Sequence, residues 1–430
     1  MNYFFEAKDN NGFSDSEINA AIKQAIADLG PLKKVLLIPP DITRLNAYAG
    51  PITKMYYDAL PADCEVEIMP ALGTHMPMNK EEIEFVFPGL PTDIFVVHDW
   101  RNDVVKLGEV PQEFVAEVSE NRYPHKIDVE VNRRIVDPSY DLIVSIGQVV
   151  PHEVVGMANY NKNIFVGCGG SSMINSSHIV GALYGLERMM GRDLTPVHKI
   201  FDYAEAHFLQ NIPLIYTLTV TTTDPSDKVH VQSLAIGRGR EIFTQSIKVS
   251  QKHNLEFLDE PIQKAVVYLK PEEFRTTWVG NKAIYRTRMA MADGGDLIII
   301  APGVMKFGED PLNEELISKY GYHDYKTVTE LIEKNQDLQE NLGVAAHLIH
   351  GSSEGRFTIY YAAGHLTPEQ VTKANFSYMP LDEALERYPI KEFKEGYNDV
   401  NGEKVFYISN PALGLWAYKD YFYQSDHQSN

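Results

Sequence analysis

The chain has 430 residues, 44% hydrophobic and 23% charged, an ordinary globular composition and too long for one compact core, so two domains are expected. Its 39 Lys and Arg against 59 Asp and Glu leave a formal charge of −20, which argues against nucleic acid and anionic membrane surfaces, both bound through clustered basic residues. Two cysteines, Cys64 and Cys168, build neither a disulfide framework nor a thiolate metal site. With no basic-then-apolar leader and no apolar run near the roughly 18 residues of a spanning helix, the cytoplasm is the expected compartment.

Ser14 or Ser16 is placed to cap a helix through Ile18, Ala21, Ile22, Ala25 and Ile26 that ends near Gly30. The run K-V-L-L-I-P-P that follows reads as a buried strand. Further strands are expected at Glu65–Met69, Ile94–His98, Leu142–Ile146 and Ile164–Val166, with helices around 52–60, 79–86 and 177–191. Strands alternating with helices argue for a parallel α/β sheet, while 126–136 alternates like a half-exposed strand. Two β-rich runs and a helical pattern occupy 211–250, then K-A-V-V-Y-L, D-L-I-I-I-A-P and R-F-T-I-Y-Y-A read as strands around a helix-rich 326–350. The expected organisation is two α/β domains, 1–268 and 269–415, with a cofactor and substrate cleft between them and a C-terminal tail over 416–430 whose end, Q-S-D-H-Q-S-N, is expected to fray.

Polar residues concentrate in the loops after these strands. P-P-D-I-T-R carries Asp41 and Arg44, L-G-T-H-M-P carries His75, and G-Q-V-V-P-H carries His152. Ligands of open α/β sheets bind beyond the carboxyl ends of the strands, so three strand-end loops converging on one site is the expected pattern. Arg grips a carboxylate with two parallel N–H bonds and a nearby Asp holds it in place; the plainer alternative is a surface ion pair. Histidines suit proton transfer near neutral pH and ligation of nickel-like metals, though among 14 histidines several serve only packing. Lys162, in N-Y-N-K-N, reads by itself as a solvated surface lysine, the alternative being a covalent anchor. The run G-C-G-G-S-S, 167–172, offers backbone N–H groups to a phosphate but lacks the Walker and dinucleotide spacings. His347 and His350, three apart, fit the end of a helix before Gly351, with His350 and Arg356 left open.

His152, Lys162 and His178 stand ten and sixteen residues apart, after Asp41, Arg44 and the G-T-H at His75. This order resembles the lactate racemase family along nearly the whole chain, most specifically in the first half. The resemblance implies a nickel-pincer nucleotide, a pyridinium mononucleotide bearing a thioamide and a thiocarboxylate, attached to Lys162, with His178 as the protein's nickel ligand. It implies His75 and His152 as paired catalytic bases on opposite sides of C2, and Arg44 and Asp41 holding the substrate carboxylate. The partners implied are a 2-hydroxy acid and the enzymes that build the cofactor; oligomeric state is not implied. The implied activity is a cytoplasmic racemase or epimerase inverting C2 of a 2-hydroxy acid.

The chain departs from the family in three places. M-A-N-Y-N stands where a glycine-rich stretch precedes the anchoring lysine, and in N-K-A-I-Y-R-T-R-M Tyr285 fits but Arg286 replaces a glutamine and Met289 a lysine. A-P-G-V-M-K-F-G-E-D replaces an acidic-cysteine stretch. Tyr285 and Arg286 become the expected substrate contacts of the second domain. Arg286 or Arg288 suits a longer acid than lactate, an aldonate first, with malate-like or aryl 2-hydroxy acids behind it. The rival readings are a hydrolase whose metal is held by His75, His152 and His178, and a non-catalytic member on the same fold.

Overall fold

The computed structural model describes residues 2–224, 226, 228–412 and 414–427. It divides into two compact units, one of Met1–Ser177 with Gly191–Asn254, the other of His178–Met190 with Leu255–Asn430. Both are α/β, as the alternating pattern predicts.

The first unit holds β1 (Asn2–Glu6), β2 (Lys34–Ile38), β3 (Glu65–Ile68), β4 (Val104–Val110), β5 (Ile127–Asn132), β6 (Leu142–Gln148), the two-residue β7 (Pro151–His152) and β8 (Gly156–Met157), β9 (Leu214–Thr223) and β10 (Val229–Gly237). Six of them form a sheet in the order β1-β10-β9-β6-β2-β3. β3, β2, β6 and β9 pair in parallel, and β10 and β1 close one edge antiparallel. The apolar runs of β2 and β6 are buried because helices cover a parallel sheet. Ser14 caps the helix Asp15–Leu29 reciprocally with Glu17, and Ile18, Ile22, Ala25 and Ile26 face the core beside Val35, Leu37 and Tyr56.

The second unit adds β11 (Glu256–Leu258), β12 (Ile262–Tyr268), β13 (Met291–Ala301), β14 (Thr358–Ala363), β15 (Ser377–Tyr378), β16 (Gly396–Val400), β17 (Glu403–Ile408) and β18 (Trp416–Tyr418). Its sheet runs β15-β14-β13-β12-β17-β16, parallel except for the β16–β17 hairpin. Val266, Ile298, Ile300, Ala362 and Val405 pack into one core.

Several expectations change. The units part at Asn254/Leu255 rather than 268/269, since β12 lies between β13 and β17 inside the second sheet. Residues 178–190, early in the chain, belong to the second unit. In the tail, β18 pairs with β11 and a helix follows to His427, so 424–427 are helical where fraying was expected, while 428–430 lie outside the described residues. Ile94–His98 forms no strand, only a 3-10 turn at Thr92–Ile94 and a single bridge from Phe95 to Ile68. The 126–136 run is β5, antiparallel to β4, followed by a 3-10 turn. The most consequential change is at Ile164–Val166, a buried π-helical turn over Asn163–Gly167 instead of a strand.

Candidate active site

Parallel pairing brings the carboxyl ends of β3, β2 and β6 to one edge, so the loops bearing His75, Asp41 and His152 leave the sheet on the same side. Asp41 is buried and caps the 3-10 turn Ile42–Ala47, accepting from the Thr43 backbone N–H at 3.1 Å and its hydroxyl at 2.5 Å. Its other oxygen lies 2.6 Å from His75 Nδ1. Burial pushes this carboxyl up, but the bonds from His75 and Thr43 and the charge of Arg44 outweigh it and hold Asp41 below the usual carboxylate range. An ionised Asp41 assigns the proton of neutral His75 to Nδ1, leaving the Nε2 lone pair for a substrate proton. The His75 side chain is 50% exposed, so that nitrogen is reachable.

The Asp41–Arg44 ion pair considered from the sequence does not form; Asp41 is spent on His75. Arg44 is exposed and makes no side-chain hydrogen bond or ion pair among the described residues. That leaves its guanidinium fork for a carboxylate.

Lys162 is held from both sides. Asn161 donates to Asp202 at 2.7 Å, while Asn163 donates to Ser145 Oγ, midway along β6, at 2.9 Å and to the Ile38 carbonyl, at the end of β2, at 3.3 Å. Upstream, Asn159 (φ 71°) and Tyr160 (φ 53°) are both left-handed, so side-chain-bearing residues adopt here the conformation that glycine adopts freely. Tyr160 is kept in place by its hydroxyl donating to the Arg238 carbonyl at 3.0 Å and by stacking on Phe243, 4.9 Å between ring centres. The Lys162 amine itself has no hydrogen bond among the described residues. Desolvation and the nearby Arg44 lower its pKa to about 8, against the opposing pull of Glu153 and Asp41. Roughly a tenth of it is therefore unprotonated at pH 7, far more than of an ordinary lysine, which suits a nucleophilic amine.

His152 is half-buried, and its Nδ1 accepts the Val154 backbone N–H at 3.1 Å, with the Glu153 carboxylate 3.8 Å away. A backbone N–H only donates, so the neutral ring carries its proton on Nε2, the opposite tautomer from His75. The Gly73 N–H donates to the Gly167 carbonyl at 2.8 Å, tying the His75 loop to the turn after Lys162. Asp41, Arg44, His75, Lys162 and, through Glu153, His152 therefore form one cluster in the first unit.

The remaining predicted residues belong to the second unit. His178 is half-buried on the helix Ser171–Tyr184, Tyr285 is buried, and Arg286 reaches the Gly414 carbonyl at 3.5 Å. Arg288 is fully buried, 2.8 Å from Glu187, with bonds to the Ile349 and Ser352 carbonyls at 3.3 and 2.9 Å; it is a structural cation, not a substrate contact. Arg356 is similarly engaged by Asp293 and the Met291 carbonyl, and His347 stacks on Trp278. The 167–172 run is no open phosphate cradle: Glu130 accepts from the Ser172 N–H at 3.2 Å at the start of the helix. Among the described residues no group of three or more His, Cys, Asp or Glu is arranged to hold a metal ion, so the three-histidine hydrolase site has no geometric support. Nor is any helix there long and apolar enough to cross a membrane. Sequence reading missed Asn161, Asn163, Tyr160 and Glu153; the asparagines on both sides of Lys162 were the available signal.

Residues 14–189 match the lactate racemase N-terminal domain. Over these residues the chain carries a lactate racemase N-terminal domain. A Thermotoga maritima protein solved by a structural genomics consortium superposes with a TM-score of 0.80 at 24% identity, over 96% of this chain and 100% of that one. The lactate racemase apoprotein from Thermoanaerobacterium thermosaccharolyticum superposes with a TM-score of 0.72 at 18% identity, over 96% of each chain. These likenesses are of fold. Among curated proteins, none matches the chain.

Proposed function

We propose that the protein is a racemase or epimerase that inverts C2 of a 2-hydroxy acid and carries the nickel-pincer nucleotide of its family on Lys162. The observation that carries the proposal is the Lys162 amine, lowered to about 8, without a hydrogen-bond partner among the described residues and braced by two asparagines. A solvated surface lysine has none of these features, and an amine awaiting acylation needs them.

When bound, the nucleotide would take and return the C2 hydride. The chain's own residues do the rest. Arg44 grips the carboxylate and fixes which way C2 faces. His75, kept in its productive tautomer by Asp41, takes the hydroxyl proton at Nε2 and leaves a 2-keto acid. His152 serves the other face with its Nε2 toward the substrate; protonation at Nδ1 requires the Val154 N–H contact to break, and Glu153 stabilises the resulting cation. His178 would hold the nickel through an imidazole nitrogen, a donor type that this metal accepts.

Peptide mass spectrometry on protein co-produced with the cofactor-building enzymes in nickel-supplied cells tests this. An adduct on the Lys162 peptide is expected, with exchange of the substrate C2 centre that falls about 10²- to 10⁴-fold in His75→Gln. An unmodified Lys162, in cells where a known family member loads, sinks the proposal.

A further inference from the structure

A cavity of about 350 Å³ opens beside Asp41 and Arg44 in the first unit. Its other walls are mainly carbon: Leu45, Tyr48, Pro51, Phe85, Pro88 and Val229, with exposed Lys228 on the hairpin between β9 and β10. The polar side-chain atoms in these walls are mostly committed. The Tyr48 hydroxyl donates to Asp15 at 2.5 Å, and the Asp41 oxygens are held by His75 and Thr43. A Cβ at Gly50 would meet the Val86 carbonyl at 2.0 Å, so two walls meet without room for a side chain. Leu45 and Phe85 are large apolar side chains left 49% and 67% exposed, surface that an apolar ligand group would cover.

We infer that this cavity seats the side chain of the substrate and selects an apolar one, aryl or branched alkyl, over a polyhydroxylated one. The inference rests on the proposed 2-hydroxy acid chemistry, in which Arg44 holds the carboxylate and so directs the C3 substituent along these walls. A volume of this size lies within the range of small-molecule pockets and accommodates a phenyl ring. The hydroxyls of an aldonate would lose water there and find few free side-chain partners besides the rim lysine, which disfavours their burial. Of the two second-unit arginines offered for an aldonate, Arg288 is already engaged by Glu187 and two carbonyls.

The test is calorimetric titration of the full-length, cofactor-free protein with 3-phenyllactate, lactate and gluconate. Phenyllactate is expected to bind at least about tenfold more tightly than either of the others. Leu45→Asn and Phe85→Asn each weaken phenyllactate at least about threefold and lactate by less, with the melting temperature unchanged, since both side chains are exposed. Gluconate binding as tightly as phenyllactate, no binding of any of the three acids, or a preference indifferent to both substitutions overturns the inference. Because this readout needs no cofactor, it separates from the Lys162 adduct. Apolar preference with an unmodified Lys162 upholds the pocket and sinks the catalytic proposal; gluconate preference with a modified Lys162 does the reverse.

Discussion

Lys162 is part-buried and Arg288 fully buried, and the two cations are treated in opposite ways. Arg288 is surrounded by acceptors: the Glu187 carboxylate at 2.8 Å and the Ile349 and Ser352 carbonyls, while Arg356 shares the same carboxylate at 3.5 Å. Lys162 has only distant charges, and its strongest charged neighbour, Arg44, repels it. A cation ringed by a carboxylate and carbonyls is architecture; a desolvated one without such acceptors is held ready to lose its proton. From the sequence, Lys162 read by itself as a solvated surface lysine and Arg288 as an alternative to Arg286 for a substrate contact.

Breaking the comparison at Arg288 has the largest expected effect. Arg288→Met leaves Glu187 without its principal partner and should lower stability by about 3–5 kcal/mol, read as a drop in the denaturant midpoint. A change below about 1 kcal/mol would show the pair to be dispensable.

Lys162→Met should move stability the other way. The native pKa is lowered from 10.5 to about 8, so between those values the unfolded chain binds a proton that the folded chain does not. Stability of the unmodified protein therefore rises with pH across that window. Below about pH 8 the charged amine carries its full cost, on the order of 3 kcal/mol for such a difference. At pH 7 the substitution should stabilise the unmodified protein by roughly 1–3 kcal/mol, the sign expected where a site is built for chemistry at the expense of stability. A destabilised Lys162→Met protein would mean that the amine is satisfied after all.

The smallest effect sharpens the contrast directly. Acylation of Lys162 by an amine-reactive reagent, followed peptide by peptide, should rise about tenfold per pH unit and level off above about pH 8, whereas surface lysines keep rising toward 10.4. A Lys162 profile coinciding with theirs would remove the distinction.

Much of the fold was legible along the chain. β2, β3, β6, β13 and β14 lie where their apolar runs are, and Ser14 caps the first helix, because burial in a parallel sheet and capping write themselves into neighbouring residues. The loops after β2, β3 and β6 were legible as a shared edge for the same reason, and so were Asp41, Arg44, His75 and His152 as its polar residues.

Three features were decided only by tertiary contact. The Ile164–Val166 run is as apolar as a strand, and periodicity does not separate a short buried strand from a buried turn; the π-turn is set by Asn163 bonding to β2 and β6. Residues 178–190 join the second unit, where Glu187 meets Arg288, about a hundred positions away along the chain. The partner of Asp41 was decided by the path of the His75 loop, not by the Arg three residues away. Sequence determined which side chains have the chemistry; the folded chain decided which keep it available, because a charge is spent or spared by neighbours that only folding brings within bonding distance.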